Sequence, residues 1–393
     1  VNFEFDAEQE QLRASVRRYL VDRAPITPYV RDGYGAARGA DDVWLGLAAL
    51  GASGLLVRGD HGGAGVGMVD AAVVLEECGR AVYPGPYVSS AIGATSLVSL
   101  AGGDTDHAAL LPALADGTTV GTLAIFERGD RIEWRAPTTR CDGPGSGAEG
   151  GDGTVRVSGT KVGVLDGERA DVFLVSTRAD DGEVAIVAVT PGPSAGSSAG
   201  PSVRVEPDAG LDGSRCTATV HFDGAVGRRL AGADPTSAVG VTLDRMRTAL
   251  VIDSIGAAAR ALELTVAYAT ARVAFDKPIG SFQAVQHLCA DMLRALELSR
   301  AAGYYACWAL DDADAAHAHL AAVQAAAYTS EELPKLGAHA IQVFGGIGFT
   351  WEHDIHLFYK RLVSAGAVLG NADDHLAELA DLVLSPALIA HEE

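Results

Sequence analysis

Apolar residues change their period twice along this chain. From Asp6 to about Thr118, Ala, Leu and Val recur at helical spacing, beginning with Gln9-Glu10-Gln11-Leu12-Arg13-Ala14-Ser15-Val16-Arg17-Arg18-Tyr19-Leu20. Between about Thr119 and Arg229 the pattern shortens to alternation. Examples are Val155-Arg156-Val157-Ser158-Gly159-Thr160-Lys161-Val162, Val172-Phe173-Leu174-Val175-Ser176 and Thr217-Ala218-Thr219-Val220-His221-Phe222, separated by Gly, Asp and Ser turns. From Ala233 to about Leu384 the helical period returns, through Leu243 to Arg272, Phe282 to Leu310 and His317 to Val343. The pattern predicts an α+β multidomain chain: an N-terminal helical domain over 1–118, a middle β domain over 119–232 and a C-terminal helical domain over 233–393. Two stretches, Cys141 to Thr154 and Pro191 to Ser202, are almost wholly Gly, Ser, Pro, Ala and Asp and are expected to be mobile loops.

Composition narrows the classes. A chain of 393 residues that is 48% hydrophobic has ample material for two or three cores. It contains no uninterrupted apolar run of about 18 residues, so no membrane span is expected. The start, Val1-Asn2-Phe3-Glu4-Phe5-Asp6, is acidic rather than basic and then apolar, which argues against a secretory signal. The five cysteines are odd in number and widely spaced, favouring reduced thiols and a cytoplasmic setting over a disulfide framework or a zinc site. A formal charge of −21 argues against long-range attraction to nucleic acid or anionic lipid.

Two local patterns invite a ligand and are read more plainly. Asp60-His61-Gly62-Gly63-Ala64-Gly65-Val66-Gly67 is glycine-rich, but it lacks the strand-loop-helix setting and the GK[ST] ending of a phosphate cradle and is expected to connect to a helix over Val69 to Arg80. His353 and His356 flank Asp354 without an evident third ligand, so no metal is expected.

The segments that carry chemistry lie in the last third. Arg272-Val273-Ala274-Phe275-Asp276-Lys277-Pro278-Ile279-Gly280-Ser281-Phe282-Gln283 places a fixed cation and an amide around a Pro-Ile-Gly turn. Gln342-Val343-Phe344-Gly345-Gly346-Ile347-Gly348-Phe349 brings backbone N–H groups and a glutamine together with no side chains in the way; both suit a pyrophosphate. Read locally, Arg272 is either a helix-dipole partner or an anion contact, and Gln342, Gly345 and Gly346 are either a helix cap or a ligand approach.

Together the two segments resemble the flavin-clasping segments of the acyl-CoA dehydrogenase family, and the helical, β, helical order resembles that family over essentially the whole chain. The resemblance implies FAD as cofactor, with Arg272, Phe275, Phe282, Gln283, Gln342, Gly345 and Gly346 contacting the FAD of a neighbouring subunit. It also implies an acyl-CoA substrate, electron-transferring flavoprotein as electron acceptor, and a C-terminal four-helix bundle over 233–393 that mediates a tetramer. With so acidic a chain, a CoA site must rely on local arginines and helix ends.

The family's reaction needs a carboxylate to take the substrate α-proton in a dry pocket while flavin accepts hydride from the β carbon. Where most members carry that glutamate, this chain reads Leu369-Gly370, and where a minority carry it, aligned on Gly256, it reads Met246. Asp253 lies seven residues beyond Met246 on nearly the same helical face, roughly 10 Å along the axis. Flanked by Leu250, Val251, Ile252 and Ile255, it is either the catalytic base or a structural acid paired with an arginine such as Arg247 or Arg260. Arg247, on the face that lines the family's acyl pocket, is a candidate substrate contact or a carboxylate partner.

The middle domain departs from the family as well. Ile125-Phe126-Glu127-Arg128 stands in place of Val-Thr-Glu-Pro, and Gly163-Val164-Leu165 in place of Trp-Ile-Thr, so two hydroxyl donors to the flavin are lost. A composition heavy in Ala, Gly, Asp and Arg is similar to that of actinobacterial members that act on steroid-derived CoA esters as α2β2 assemblies, in which one chain can lose the base or part of a flavin site. Three functions therefore stand at this point: an acyl-CoA dehydrogenase using Asp253, a catalytically silent partner that completes another chain's FAD site, and a flavin oxidase or monooxygenase on the same fold.

Overall fold

In a computed structural model the described residues are 5–31, 42–129, 134–143, 153–191, 202–232 and 234–384. Most of the two stretches expected to be mobile loops lies outside them. The N-terminal third forms α1 (Ala7–Arg23), α2 (Asp42–Ala49), α3 (Met68–Arg80), α4 (Thr95–Ala101) and α5 (Asp104–Ala115). α1 starts in a reciprocal cap between Asp6 and Gln9 and buries Val16 and Leu20, the apolar positions of its sequence pattern. Two turns widen to π-helical form, Ile26–Arg31 and Tyr87–Ala94.

The middle third supplies β1 (Gly121–Ala124), β2 (Arg140–Asp142), β3 (Thr154–Leu165), β4 (Val172–Ala179), β5 (Val184–Val189), β6 (Ser202–Pro207) and β7 (Thr217–Arg229). Strands β4, β2, β3, β7 and β5 pair in sequence, and β5 returns to β4, so this part of the sheet closes on itself; β1 adds to β4 and β6 to β7. Closure leaves few free edges and gives the alternating strands one interior, filled by Val155, Val157, Phe173, Val175, Val187, Val220 and Phe222.

The last third forms α6 (Pro235–Ala271), a short hairpin of β8 (Val273–Ala274) and β9 (Lys277–Pro278), and then α7 (Gln283–Asp312), α8 (Ala315–Phe344), α9 (Ile355–Val368) and α10 (Ala372–Val383). The architecture is thus N-terminal helices, a middle strand domain and a C-terminal helical bundle. Among the described residues no helix is long and apolar enough to cross a membrane.

By compactness the chain divides into two units. One comprises the described parts of Val1–Tyr34, Met68–Tyr83 and Arg247–Glu393, the other those of Gly35–Gly67 and Pro84–Met246. In the first unit α3 lies on α6 with almost no separation: a Cβ on Gly79 would fall 1.8 Å from the carbonyl oxygen of Asp253, and one on Gly256 would fall 1.9 Å from that of Glu76. Only glycine at both crossing points lets the two backbones meet. The glycine-rich Asp60–Gly67 stretch precedes α3, and the first two N–H groups of that helix, Met68 and Val69, donate to the Asp311 carboxylate at 2.7 and 3.1 Å. A protein carboxylate therefore occupies the helix start where a phosphate cradle would hold its ligand.

Candidate cofactor clasp and a buried acid pair

The clasp begins where α6 ends. Arg272 N–H donates to Tyr268 O at 2.8 Å, and the chain turns at once into the β8–β9 hairpin. Its two connecting residues, Phe275 and Asp276, have φ of 54° and 63°. A two-residue hairpin of this hand prefers Asn-Gly, and an ordinary L-residue held there costs roughly 1–2 kcal/mol. Phe275 bears that cost while 88% exposed, so burial within the chain does not compensate it. Its ring meets Phe282 edge-on at 6.1 Å, and Lys277 Nζ lies 4.3 Å from the Phe282 centroid. Arg272 and Gln283 are exposed, and the Arg272 guanidinium has no carboxylate partner among the described residues.

The second segment closes α8. Gly345 caps that helix, donating its N–H to Gln342 O and Ile341 O, at φ 66° and ψ −143°, a conformation essentially reserved for glycine. A Cβ on Gly345 or Gly346 would meet nothing within 4 Å, so the backbone there faces open space, and Gln342 is exposed beside it. Gly348 differs: it is buried, and its Cβ would press on Phe344 and Ile341, so its smallness serves packing. Tyr268 in the last turn of α6 stacks on Phe344 at the end of α8, centroids 4.3 Å apart, and so holds the two segments side by side. An exposed guanidinium and two exposed glutamines form a donor set that fits a pyrophosphate, and the uncovered glycine backbone leaves room for its approach. Nothing in the sequence pattern singled out Tyr268 as the connecting residue.

Asp253 is placed differently. It is 1% exposed on α6, and both its oxygens are held by one guanidinium: Arg361 on α9 donates Nε–H to Oδ2 at 2.9 Å and Nη2–H to Oδ1 at 2.8 Å. Arg361, 4% exposed, also donates to Tyr83 O at 3.1 Å. The sequence reading named Arg247 or Arg260 as partner. The structure instead commits Arg247 to Glu378 at 2.9 Å and Arg260 to Glu263 at 3.0 Å, which leaves the carboxylate to an arginine 108 residues further on. Sequence spacing along one helix could not reveal a partner on another.

Leu369, where the resemblance puts the base of most members, lines a cavity of only about 20 Å³ together with Arg247, Ser254, Thr329 and His375, enough for one water. His375 is held neutral at physiological pH: burial, aided by the nearby Arg247 charge, depresses its pKa to about 4. Met246, the other family base position, is buried. His353 and His356 pack against aromatic rings, His353 on Phe344 at 4.4 Å and His356 on Trp351 at 4.7 Å.

In the strand unit, the segment that departs from the family is fixed by a buried lysine. Lys161 Nζ donates to Ile125 O at 3.0 Å, Glu127 Oε1 at 2.7 Å and Ser176 Oγ at 3.0 Å. Glu127 also accepts from the backbone N–H of Thr138 at 2.8 Å and of Thr139 at 2.9 Å. Burial acts to raise the Glu127 pKa, but Lys161 and the Thr138 hydroxyl outweigh it and bring it down to about 2. Burial lowers Lys161 to about 8 against the pull of the same carboxylate, so the pair is ionised at neutral pH. Phe126 O accepts Val162 N–H at 2.9 Å, which locks the loop onto β3.

The family model described as Acyl-CoA dehydrogenase, N-terminal domain matches residues 6–118, and the one described as Acyl-CoA dehydrogenase, C-terminal domain matches residues 236–383. Acyl-CoA dehydrogenase FadE34 of Mycobacterium tuberculosis is 33% identical over 377 residues, covering 93% of this chain; the chain spans 46% of that relative's length. Acyl-CoA dehydrogenase IpdE2 of the same organism is 30% identical over 374 residues, 95% of this chain and 96% of the relative. Among solved structures, a chain of the Tcur3481-Tcur3483 steroid ACAD superposes with a TM-score of 0.82 at 27% identity, covering 97% of this chain and 98% of that one. Butyryl-CoA dehydrogenase from Megasphaera elsdenii shares the fold at 18% identity, with a TM-score of 0.86 over 98% of this chain and 100% of that one.

Proposed function

The chain belongs to the acyl-CoA dehydrogenase family, a family of enzymes, and on that premise we propose that it serves α,β-dehydrogenation of an acyl-CoA thioester as the subunit that completes a partner chain's FAD site. One contrast carries the reading: the clasp groups are exposed and uncovered, whereas Asp253, the acid the sequence offers as base, has both oxygens engaged by Arg361. A base must be free to accept a proton at the substrate α carbon, and a carboxylate in a side-on guanidinium pair is held in its ionised, hydrogen-bonded form.

FAD, when bound, supplies the two-electron acceptor. Arg272 would neutralise and orient its pyrophosphate against the open backbone at Gly345 and Gly346, with Gln283 and Gln342 as amide contacts. Phe275, strained and solvent-facing on this chain, supports contact with a neighbouring subunit. The likeness to a two-component steroid ACAD supports an α2β2 assembly and a bulky polycyclic acyl group, with electrons passed to an electron-transferring flavoprotein. Flavin stoichiometry tests the reading. One FAD per pair of unlike chains, with turnover only in the pair, is expected; one FAD per chain and turnover by this chain alone would replace it with the reading in which Asp253 is the base.

A further inference from the structure

A cavity of about 410 Å³ opens beside the C-terminal end of α1 and shares no lining residue with the clasp. Its volume falls in the range of small-molecule sites, about 300–1,000 Å³. One wall is apolar, made by Leu20, Ala24 and Ile26, and Ile26 begins the π-helical turn Ile26–Arg31, a form that recurs at functional sites. The opposite chemistry is concentrated in Arg17, Arg80 and Arg260.

Glu77 accepts from Arg17 Nε at 2.8 Å and Nη2 at 2.6 Å. Glu263 accepts two bonds from Arg80, both 2.9 Å, and one from Arg260 Nη1 at 3.0 Å. Glu77 also accepts from Arg13 at 3.4 Å, and the other lining acid, Asp354, is held by Arg31 at 3.3 Å, so each carboxylate at the cavity is already engaged, whereas Nε and Nη2 of Arg260 have no partner among the described residues. In a chain of net charge −21 a guanidinium with open donors is the reverse of the general field.

We propose that this cavity binds an amphipathic monoanion, a medium-length apolar body ending in one carboxylate, with the carboxylate on Arg260 and the body along Leu20, Ala24 and Ile26. A cationic ligand would face three guanidiniums, and a neutral apolar one would leave the Arg260 donors unanswered. A polyanion would meet one guanidinium with open donors, Arg260, and two lining carboxylates, Glu77 and Asp354. The inference is independent of the flavin reading, since it uses none of the clasp residues.

Equilibrium dialysis of the full chain near neutral pH against decanoate, decanol and decyltrimethylammonium decides it. One saturable decanoate site per chain is expected, with decanol and the ammonium weaker by about tenfold or more. Arg260→Gln, which leaves the Arg80 pair on Glu263 in place, should weaken decanoate by a similar factor. Val21→Glu adds a like charge at an exposed position lining the cavity and should do the same without touching the arginines. Arg272→Ala should retain the site. The proposal is overturned if no saturable site exists below about 1 mM, if decanol binds as well as decanoate, if both cavity variants bind like wild type, or if Arg272→Ala abolishes binding.

Discussion

Replacing Asp253 by Asn separates a structural acid from a catalytic one. The carboxylate and the Arg361 guanidinium are 1% and 4% exposed and meet through two charge-assisted bonds of 2.8 and 2.9 Å. Asn keeps the shape but removes the charge, leaving a buried guanidinium with Tyr83 O as a remaining acceptor. Breaking a buried pair from one side costs about 3–5 kcal/mol because the other charge is stranded. For a compact unit of this size each kcal/mol shifts Tm by about 2–4 °C, so a fall on the order of 10 °C is expected. Replacing both partners, Asp253→Leu with Arg361→Met, removes the stranded charge and should recover most of that loss. The assay is thermal unfolding by circular dichroism of Asp253→Asn and of the double variant, alongside turnover of the loaded complex. A D253N protein that melts like wild type yet turns over about 10²-fold more slowly would refute the structural assignment and make Asp253 the base.

Other perturbations test neighbouring claims. Gly256→Ala must push α3 off α6, because its Cβ would sit 1.9 Å from Glu76 O; a loss of about 1–3 kcal/mol or more, read by denaturant unfolding, is expected. Arg272→Ala should lower FAD content and shift sedimentation toward smaller species together, while unchanged flavin retention would remove Arg272 from the clasp. Phe275→Gly relieves the left-handed turn and should stabilise the isolated chain by about 1 kcal/mol while weakening subunit association, as read by calorimetry and analytical ultracentrifugation. The Glu127 carboxyl, at about 2 folded against 4.5 ordinarily, contributes stability present above pH 4.5 and lost as pH falls through about 2. Glu127→Gln should therefore flatten the fall in Tm over that acid window, and it should destabilise the fold at neutral pH by stranding buried Lys161. For Lys161, folded at about 8 against 10.5, the sign is opposite: its burial opposes folding at neutral pH and that penalty lifts as pH rises from 8 toward 10.5.

The element types were legible in the chain because local period decides them. The helical spacing of Leu243 to Arg272, Phe282 to Leu310 and His317 to Val343 reappears as α6, α7 and α8, and the alternating runs reappear in β3, β4 and β7. The glycines of the second clasp segment were legible too, since a helix that must end without side chains in the way has few residues to choose from, and Gly345 adopts a backbone conformation that reserves the position. Sequence alone could also show that Leu369 and Met246 are not acids. It could not decide what Asp253 does, because a carboxylate among apolar neighbours is equally a base awaiting a proton and half of an ion pair. Only tertiary structure brought Arg361 to it from α9, gave Arg247 to Glu378, set Tyr268 on Phe344 to join the clasp, and placed Lys161 under Glu127. Local period fixes which face of a segment turns inward, but ion-pair partners come from whichever element packs on that face, and their identity exists only once the chain has folded.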